Sequence, residues 1–512
     1  MKTIKELLRM FLNKWALFAF IIFLEIVALV LAFIYAGLSV GTTVIITSII
    51  HLVLVAISIV SLVSRKEYHS RYIIAWLVLV AVVPVAGSLF YLFTANTLSH
   101  KARQKKYKIN SDKIKKVTDE IAEEYDVDPY FNSIQNLVRS RSHLPAWDKT
   151  DTKIYNRGED MYEDIKEALL SAKEYIFLEF FIVRKGKMQT EILEIIQAKL
   201  KEGVKVYFVY DNFGGSRDLP FRFKQKIRKM GVKTKTFNRI FPILNLSFNY
   251  RDHRKIIVVD GKIAFTGGIN IGDEYINREI RFGYWKDGGI RLKGKGVANF
   301  VLIFLNVWES LTGEHLDSKK FIKNEEVSDS EGYVISFQDG PLNYNHIIHE
   351  VYLTMINTAE KYIYISTPYL ILDDEILLAL KIAAARGIDV RIITPKKPDK
   401  KFVFMVTKEN YKSLIEAGVR IYEYTPGFIH TKAVVSDDDI GTIGTSNFDF
   451  RSFYLHYEDI SLIYKTKSVK DLRNDFIETF AISEEIEAKD IKRNNIFKRA
   501  LLVVLKILSP LL

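Results

Sequence analysis

The 512-residue chain contains no cysteine. That excludes disulfides, thiol nucleophiles and Cys-ligated metals, and it leaves the redox compartment undetermined. Acidic residues are in deficit: 73 Lys and Arg stand against 61 Asp and Glu, a formal net charge of +12. Such an excess suits either nucleic acid or an anionic bilayer surface. Charge is also scarce in three long apolar stretches near the N-terminus, Trp15 to Ala36, Thr42 to Val63 and Tyr72 to Phe93. Each has roughly the length needed to cross a hydrocarbon core as a helix. No convincing small-residue cleavage site accompanies them, which argues against a removable signal peptide. The bilayer is therefore the expected partner, and nucleic acid is not.

The number of spans follows from what flanks the stretches. Lys2, Lys5, Arg9 and Lys14 precede the first, and Lys101, Arg103, Lys105, Lys106 and Lys108 follow the third. The link Gly37 to Gly41 carries no charge, whereas Arg65, Lys66 and Arg71 lie between the second and third. Three full spans would leave one of the two terminal basic clusters outside, against the positive-inside tendency. A hairpin of the first two stretches, with the third in the inner leaflet, keeps every basic cluster inside. Spanning by the second and third exposes only the three-residue cluster. Two spans are thus favoured over three, and both arrangements leave the remainder of the chain cytoplasmic at a cell membrane. Glu25 is costly inside the first stretch, and Pro84 and Gly87 interrupt the third. At the other end, IKRNNIFKRALLVVLKILSPLL, from Ile491, combines apolar and basic residues at less than spanning length, as an interfacial helix does.

From about residue 150 the chain repeats itself. YIFLEFFI, KEGVKVYFVYD and MGVKTKTF (Tyr175 to Phe237) are answered by YIYISTPYL, ARGIDVRIITP and AGVRIYEY (Tyr362 to Tyr424). In each copy β-rich runs alternate with helical segments, Glu191 to Lys201 and Ile376 to Ala385, ended by Gly203 and Gly387. This predicts an α/β fold of two similar α/β/α lobes. The expected division is a membrane-anchoring region 1–110, lobes at 135–320 and 330–490, and a C-terminal amphipathic helix 491–512. Ile240 to Arg251 is longer than its counterpart and is expected to form a rim loop over the site.

Both copies carry the same motif. His253, Lys255 and Asp260 in HRKIIVVD precede Gly267 and Asn270; His430, Lys432 and Asp437 in HTKAVVSD precede Gly444 and Asn447. All five positions are offset by 177 residues, without insertion. One H-x-K-x4-D is weak evidence; two in register within a larger repeat are strong. His and Lys two apart in a strand share a face. Two such pairs facing each other would surround one anion with imidazoles, ammonium groups and amides, a cage for charge on phosphoryl oxygens. A neutral imidazole can attack phosphorus while a protonated one donates to the leaving alkoxide. That chemistry needs no metal or other cofactor.

The paired motifs resemble those of the phospholipase D superfamily. Asn249 to Tyr275, YWKDGGIRLKG, STPYL, GTSNFDFRSFYLHYE, the terminal SPLL and WLVLVAVVPVAGSLFYLF are similar to bacterial cardiolipin synthases over most of the chain. The resemblance implies two phospholipase D-like lobes, a covalent phosphohistidine, and transfer of a phosphatidyl group between two phosphatidylglycerol molecules to give cardiolipin and glycerol. A related phosphatidyltransferase or lipid hydrolase is the alternative enzyme; an anionic-lipid-binding scaffold is the alternative without catalysis. The resemblance implies that His253, Lys255, Asn270, His430, Lys432 and Asn447 touch the phosphate. Asp260 and Asp437 complete the catalytic motif from behind, in a supporting role. Glu179, Asp449 and Glu458 are candidates for orienting the histidines, with structural roles equally open; so are Arg451 and Ser452 for holding the loop after Asn447. His456 departs from the family's Asn. Either imidazole can attack in a pseudo-symmetric site. Asp449 and Glu458 follow the second motif, and on that ground the expected nucleophile is His253 and the expected acid His430. Oligomeric state is not readable.

Overall fold

The computed structural model describes residues 40–64, 69–94, 97–125, 127–216, 219–220, 222–238, 250–323, 325–327, 329–342, 345–490 and 495–508, with positions 30 and 34. The chain divides into two compact units: Met1–Ala102 with Ile240–Asn249 and Val503–Leu512, and Arg103–Arg239 with Tyr250–Leu502.

In the smaller unit, helices run over Val40–Val63, Ser70–Val82 and Pro84–Thr94. Among the described residues no helix is long and apolar enough to cross a membrane. The first apolar stretch lies almost wholly outside the described residues, and so does most of the rim loop, at 239–249. The third stretch is broken at Val83, as Pro84 and Gly87 lead one to expect. Proline has no N–H to continue the ladder. The two short helices pack through Trp76, whose ring lies 5.6 Å from Phe90 and 5.4 Å from Tyr91. Gly87 permits that approach, because a Cβ there would stand 2.6 Å from the Leu79 carbonyl oxygen. The C-terminal segment contains a helix, Ile496–Leu508.

The larger unit holds both lobes. The strands are β1 (Thr150–Tyr155), β2 (Tyr175–Phe180), β3 (Lys205–Asp211), β4 (Lys233–Phe237), β5 (Arg251–Asp252), β6 (Lys255–Val259), β7 (Ile263–Gly267), β8 (Tyr284–Lys286) and β9 (Gly289–Gly294), then β10 (Tyr333–Asp339), β11 (Tyr362–Ser366), β12 (Leu370–Ile371), β13 (Asp389–Pro395), β14 (Arg420–Tyr424), β15 (Gly427–Ile429), β16 (Ala433–Ser436), β17 (Ile440–Gly444), β18 (Phe448–Asp449), β19 (His456–Tyr464) and β20 (Ser483–Ile486). The first sheet has the order β1-β9-β7-β6-β2-β3-β4; the second repeats it as β10-β19-β17-β16-β11-β13-β14 and adds β20. The duplication in sequence is thus a duplication of topology. β2 and β3 are parallel, joined by the helix Lys187–Lys201; β11 and β13 are joined likewise by Asp374–Ala385. Gly203 and Gly387 end these helices at φ +89° and +86°, a conformation glycine adopts freely.

The first helix begins earlier than its sequence period suggests, because a distant carboxylate caps it. Asp273 accepts from the N–H groups of Lys187 and Met188 at 2.9 and 2.8 Å. Between the lobes runs the helix Val297–Thr312, apolar on nearly all sides and buried as such a helix must be. Its one buried amide is fully matched: Asn299 donates to the carbonyls of Pro145 and Ser336 and accepts from the Trp147 indole.

Candidate active site

Two short cross-lobe pairings build the site. β5, just before His253, runs parallel to the start of β19 in the other lobe. β15, just before His430, runs parallel to β8. Each histidine's backbone is fixed by the opposite lobe: His253 N–H donates to the Tyr457 carbonyl at 2.8 Å, and His430 N–H to that of Lys286 at 2.7 Å.

The side chains repeat the exchange. His253 Nδ1 lies 2.8 and 3.0 Å from the two oxygens of Glu458, and His430 Nδ1 lies 2.7 Å from Asp287 Oδ2. Both imidazoles are therefore oriented through Nδ1 by a buried carboxylate of the other lobe, which leaves Nε2 as the reactive nitrogen. Lys255 opens β6, Lys432 immediately precedes β16, and they donate to the carbonyls of His253 and His430. The hairpins β6–β7 and β16–β17 bring Asn270 and Asn447 to the same ends of the sheets. Asn270 Oδ1 accepts from Ile182 N–H at 2.9 Å. Asn447 Nδ2 donates to Asp449 at 3.3 Å, and its Oδ1 is buried without a hydrogen-bond partner.

Glycines make the carboxylates' approach possible. A Cβ on Gly268 would stand 1.9 Å from Asp287 Oδ1, and one on Gly267 would stand 2.3 Å from the Gly288 carbonyl oxygen. In the second copy Thr445 replaces Gly268, and its hydroxyl donates to Glu458 at 2.6 Å.

The electrostatics fit an anion. Burial, reinforced by Lys255, Lys432 and His430, holds the His253 imidazole well below its usual proton affinity. Burial and Lys432 bring His430 down to about 4, against the pull of Asp287. Burial also lowers Lys255 to about 8 and Lys432 to about 7. Four basic groups thus sit together in a buried site, and a bound anion would favour the charged form of each.

The remaining candidates are sorted by contact. The Asp260 carboxylate, at the far end of β6 and in a left-handed conformation (φ +52°), accepts from the N–H groups of Lys173, Glu174 and Tyr175 at 2.7 to 2.8 Å. Asp437, at φ +57°, does the same for Glu360, Lys361 and Tyr362 at 2.8 to 2.9 Å. Both carboxylates thus pin the starts of β2 and β11. Glu179 reaches neither histidine; it is buried 2.9 Å from Arg254 Nε, which also binds Asp252 at 2.9 Å. Asp449 caps the helix Phe450–Tyr454 through Ser452 N–H at 2.7 Å, and Ser452 Oγ accepts from Asn447 N–H at 3.1 Å.

One inference from sequence needs correction. Glu458 follows the second motif but pairs with His253, because β5 joins β19 across the lobe boundary. Neither Glu458 nor Asp449 is the hydrogen-bond partner of His430, so they give no ground for assigning it as the acid. Its partner is Asp287, in the segment YWKDGG, which lies outside the paired motifs. The signal was present: aligning YWKD with LHYE places Asp287 opposite Glu458 in the repeat.

Among the described residues, two groups bring three potential metal-ligand atoms within 4.8 Å: His253, His456 and Glu458, and His349, Asp373 and Glu375. Hydrogen bonds within the protein already engage both. Glu458 is held by His253 and Thr445; Asp373 lies 2.8 Å from His349 Nε2 and accepts from Tyr454 and Ile376.

Comparison with known proteins supplies the family. The family described as cardiolipin synthase, PLD-like domain, matches residues 165–281 and 352–480, one segment in each lobe. A cardiolipin synthase of Halalkalibacterium halodurans is 37% identical over 87% of this chain and 90% of its own length. Cardiolipin synthase 2 of Bacillus anthracis is 37% identical over 87% and 88%. The crystal structure of the phosphatidylserine synthase of Haemophilus influenzae superposes with a TM-score of 0.58 at 15% identity, covering 74% of this chain and all of that one, a likeness of fold.

Proposed function

The chain belongs to the cardiolipin synthase family and is a phosphatidyltransferase; we propose that it transfers a phosphatidyl group from one phosphatidylglycerol to the hydroxyl of another, giving cardiolipin and glycerol. The observation that carries this reading is the reciprocal pairing of His253 with Glu458 and His430 with Asp287 beside two buried lysines.

The reaction proceeds in two displacements. His253 Nε2 attacks phosphorus, and the bond from phosphorus to the glycerol oxygen breaks. His430, protonated in the field of the bound phosphate, gives its proton to that oxygen, and glycerol departs. The phosphatidyl group is then covalently held on His253. A second phosphatidylglycerol loses its hydroxyl proton to His430, and its oxygen attacks phosphorus. The bond to His253 breaks, and cardiolipin leaves with both imidazoles restored. Lys255, Lys432, Asn270 and Asn447 bind the phosphoryl oxygens and steady the charge that builds there. His253 suits attack because burial and the neighbouring lysines hold its imidazole neutral; His430 suits proton transfer because Asp287 opposes the same depression there.

Attachment to the cell membrane belongs to the same reading. It rests on the apolar stretches and basic clusters of the first hundred residues and on the basic, apolar C-terminal helix, with two spans and a cytoplasmic catalytic part. The decisive experiment incubates purified full-length protein with phosphatidylglycerol in mixed micelles. Cardiolipin and glycerol in equal amounts support the reading. Phosphatidic acid released without cardiolipin would make the protein a hydrolase.

A further inference from the structure

His456, where the family resemblance leads one to expect Asn, has a counterpart in the other lobe. Two residues before each orienting carboxylate stands a ring bearing an N–H: Trp285 before Asp287, and His456 before Glu458. Trp285 Nε1 donates to Asp287 Oδ2 at 3.2 Å, the same oxygen that pairs with His430, and its ring lies 5.3 Å from that imidazole. The His456 ring lies 5.4 Å from that of His253; its Nδ1 is buried without a hydrogen-bond partner and stands 3.5 Å from Glu458 Oε1, which is the nearest carboxylate oxygen it faces.

The tautomer follows from the far side of the ring. Arg451 Nε–H donates to His456 Nε2 at 3.2 Å, so Nε2 is an acceptor. In the neutral ring the hydrogen must then sit on Nδ1, pointing at Glu458. Burial, opposed by Glu458 and aided by Arg451, brings His456 down to about 3, which keeps the ring neutral. Glu458 thus faces three donors: His253, the Thr445 hydroxyl at 2.6 Å, and His456. Each draws negative charge from the carboxylate and weakens its hold on a proton at His253.

We propose that His456 is a positioning residue for the transfer reaction: its Nδ1–H shares Glu458 with His253 and limits how far that carboxylate can draw a second proton onto the attacking imidazole. The groups that act on His253 are Glu458, Lys255, Lys432, His430, Lys400 and His456; those that act on His456 are Arg451, Glu458 and His253. On the opposite side Trp285 plays the same part with an N–H that does not titrate. The inference deepens the proposed reaction and rests on it.

The test compares full-length wild type with His456→Phe, which removes the donor, and His456→Asn, whose amide keeps one. Two readouts are taken against pH: carbethoxylation of His253 by diethyl pyrocarbonate, followed by mass spectrometry, and kcat/KM for phosphatidylglycerol. In His456→Phe the reactivity midpoint and the acid limb should both move up by about one pH unit, with KM little changed. His456→Asn should stay with wild type. Equal midpoints in all three proteins, or equal shifts in both variants, would overturn the proposal. If His456→Phe does not fold, Thr445→Val removes another donor from the same carboxylate and must shift the midpoint the same way; an unmoved midpoint overturns it equally. The modification arm needs no lipid turnover, so a failure to make cardiolipin would count against the reaction and not against this role.

Discussion

His430 is held at 2.7 Å by Asp287, a carboxylate 143 positions earlier in the chain and on the opposite lobe. The pair resembles the orienting half of a hydrolase triad, in which the carboxylate fixes the tautomer and steadies the imidazolium. Asp287→Asn leaves a group of the same shape without the charge. We expect kcat to fall about 10²- to 10⁴-fold, by analogy with such triads, while KM for phosphatidylglycerol changes little. Steady-state kinetics check this; a variant that lost affinity but kept turnover would place Asp287 in substrate binding instead.

The division of labour between the histidines has its own test. Short-chain phosphatidylglycerol added to a rapidly quenched reaction should leave a phosphatidyl adduct on His253. His430→Ala should slow its formation and its discharge, and His253→Ala should form none. Mapping the modified peptide by mass spectrometry decides the matter. An adduct on His430 that survives His253→Ala reverses the roles.

Much of this site was legible in the sequence because the repeat keeps its spacing. A constant offset fixes which His, Lys and Asn occupy equivalent strand ends, and equivalent ends of two similar sheets meet when the sheets pack about a pseudo-twofold. The carboxylates were not legible in the same way. Glu458 lies in the chain beside the second motif and in space beside the first, since β5 and β15 each cross to the other lobe, an exchange no local pattern records. Asp260 and Asp437 were legible as the rear of the motif; what each carboxylate holds, three backbone N–H groups at the start of β2 or β11, joins segments too distant in the chain for the spacing to record.

That anchoring predicts a stability effect. Asp260→Ala strips the acceptor from three N–H groups and places alanine in a left-handed conformation. We expect a loss of about 2–4 kcal/mol, from unmet buried donors, measured by thermal or denaturant unfolding of the catalytic unit. Asp437→Ala should cost less, since two of its three hydrogen bonds are exposed to solvent. Turnover per folded molecule should survive both, in contrast to His253→Ala.

The lysines predict a pH dependence of binding. In the empty site Lys255 and Lys432 lose their charge near pH 8 and 7. A phosphate prefers the charged forms and raises both pKa values, so binding takes up protons wherever the empty lysines are partly neutral. Affinity is fully expressed only well below pH 7 and weakens as pH rises through 7, where Lys432 loses its charge, and then through 8, where Lys255 does. Calorimetry of a soluble glycerophosphodiester in buffers of different ionisation enthalpy measures that uptake directly. Proton release, or none, would mean that the lysines do not face the anion.

The absence of cysteine turns the topology into a clean experiment, because every introduced thiol is the only one. The two arrangements of the apolar stretches differ at two links. A hairpin of the first two stretches puts Ser39 outside and Ser64 and Ser99 inside; spanning by the second and third puts Ser64 outside with Ser99 inside. Ser39→Cys, Ser64→Cys and Ser99→Cys, each alone, are treated in intact cells with a membrane-impermeant maleimide and again after permeabilisation. Labelling of Ser39→Cys in intact cells, with Ser64→Cys and Ser99→Cys protected until permeabilisation, fits the hairpin, which keeps all basic clusters inside. Labelling of Ser64→Cys before permeabilisation selects the other. Labelling of Ser99→Cys in intact cells would reject both, because it would put the start of the catalytic unit on the outer face, away from the cytoplasmic leaflet to which its basic residues are expected to be drawn.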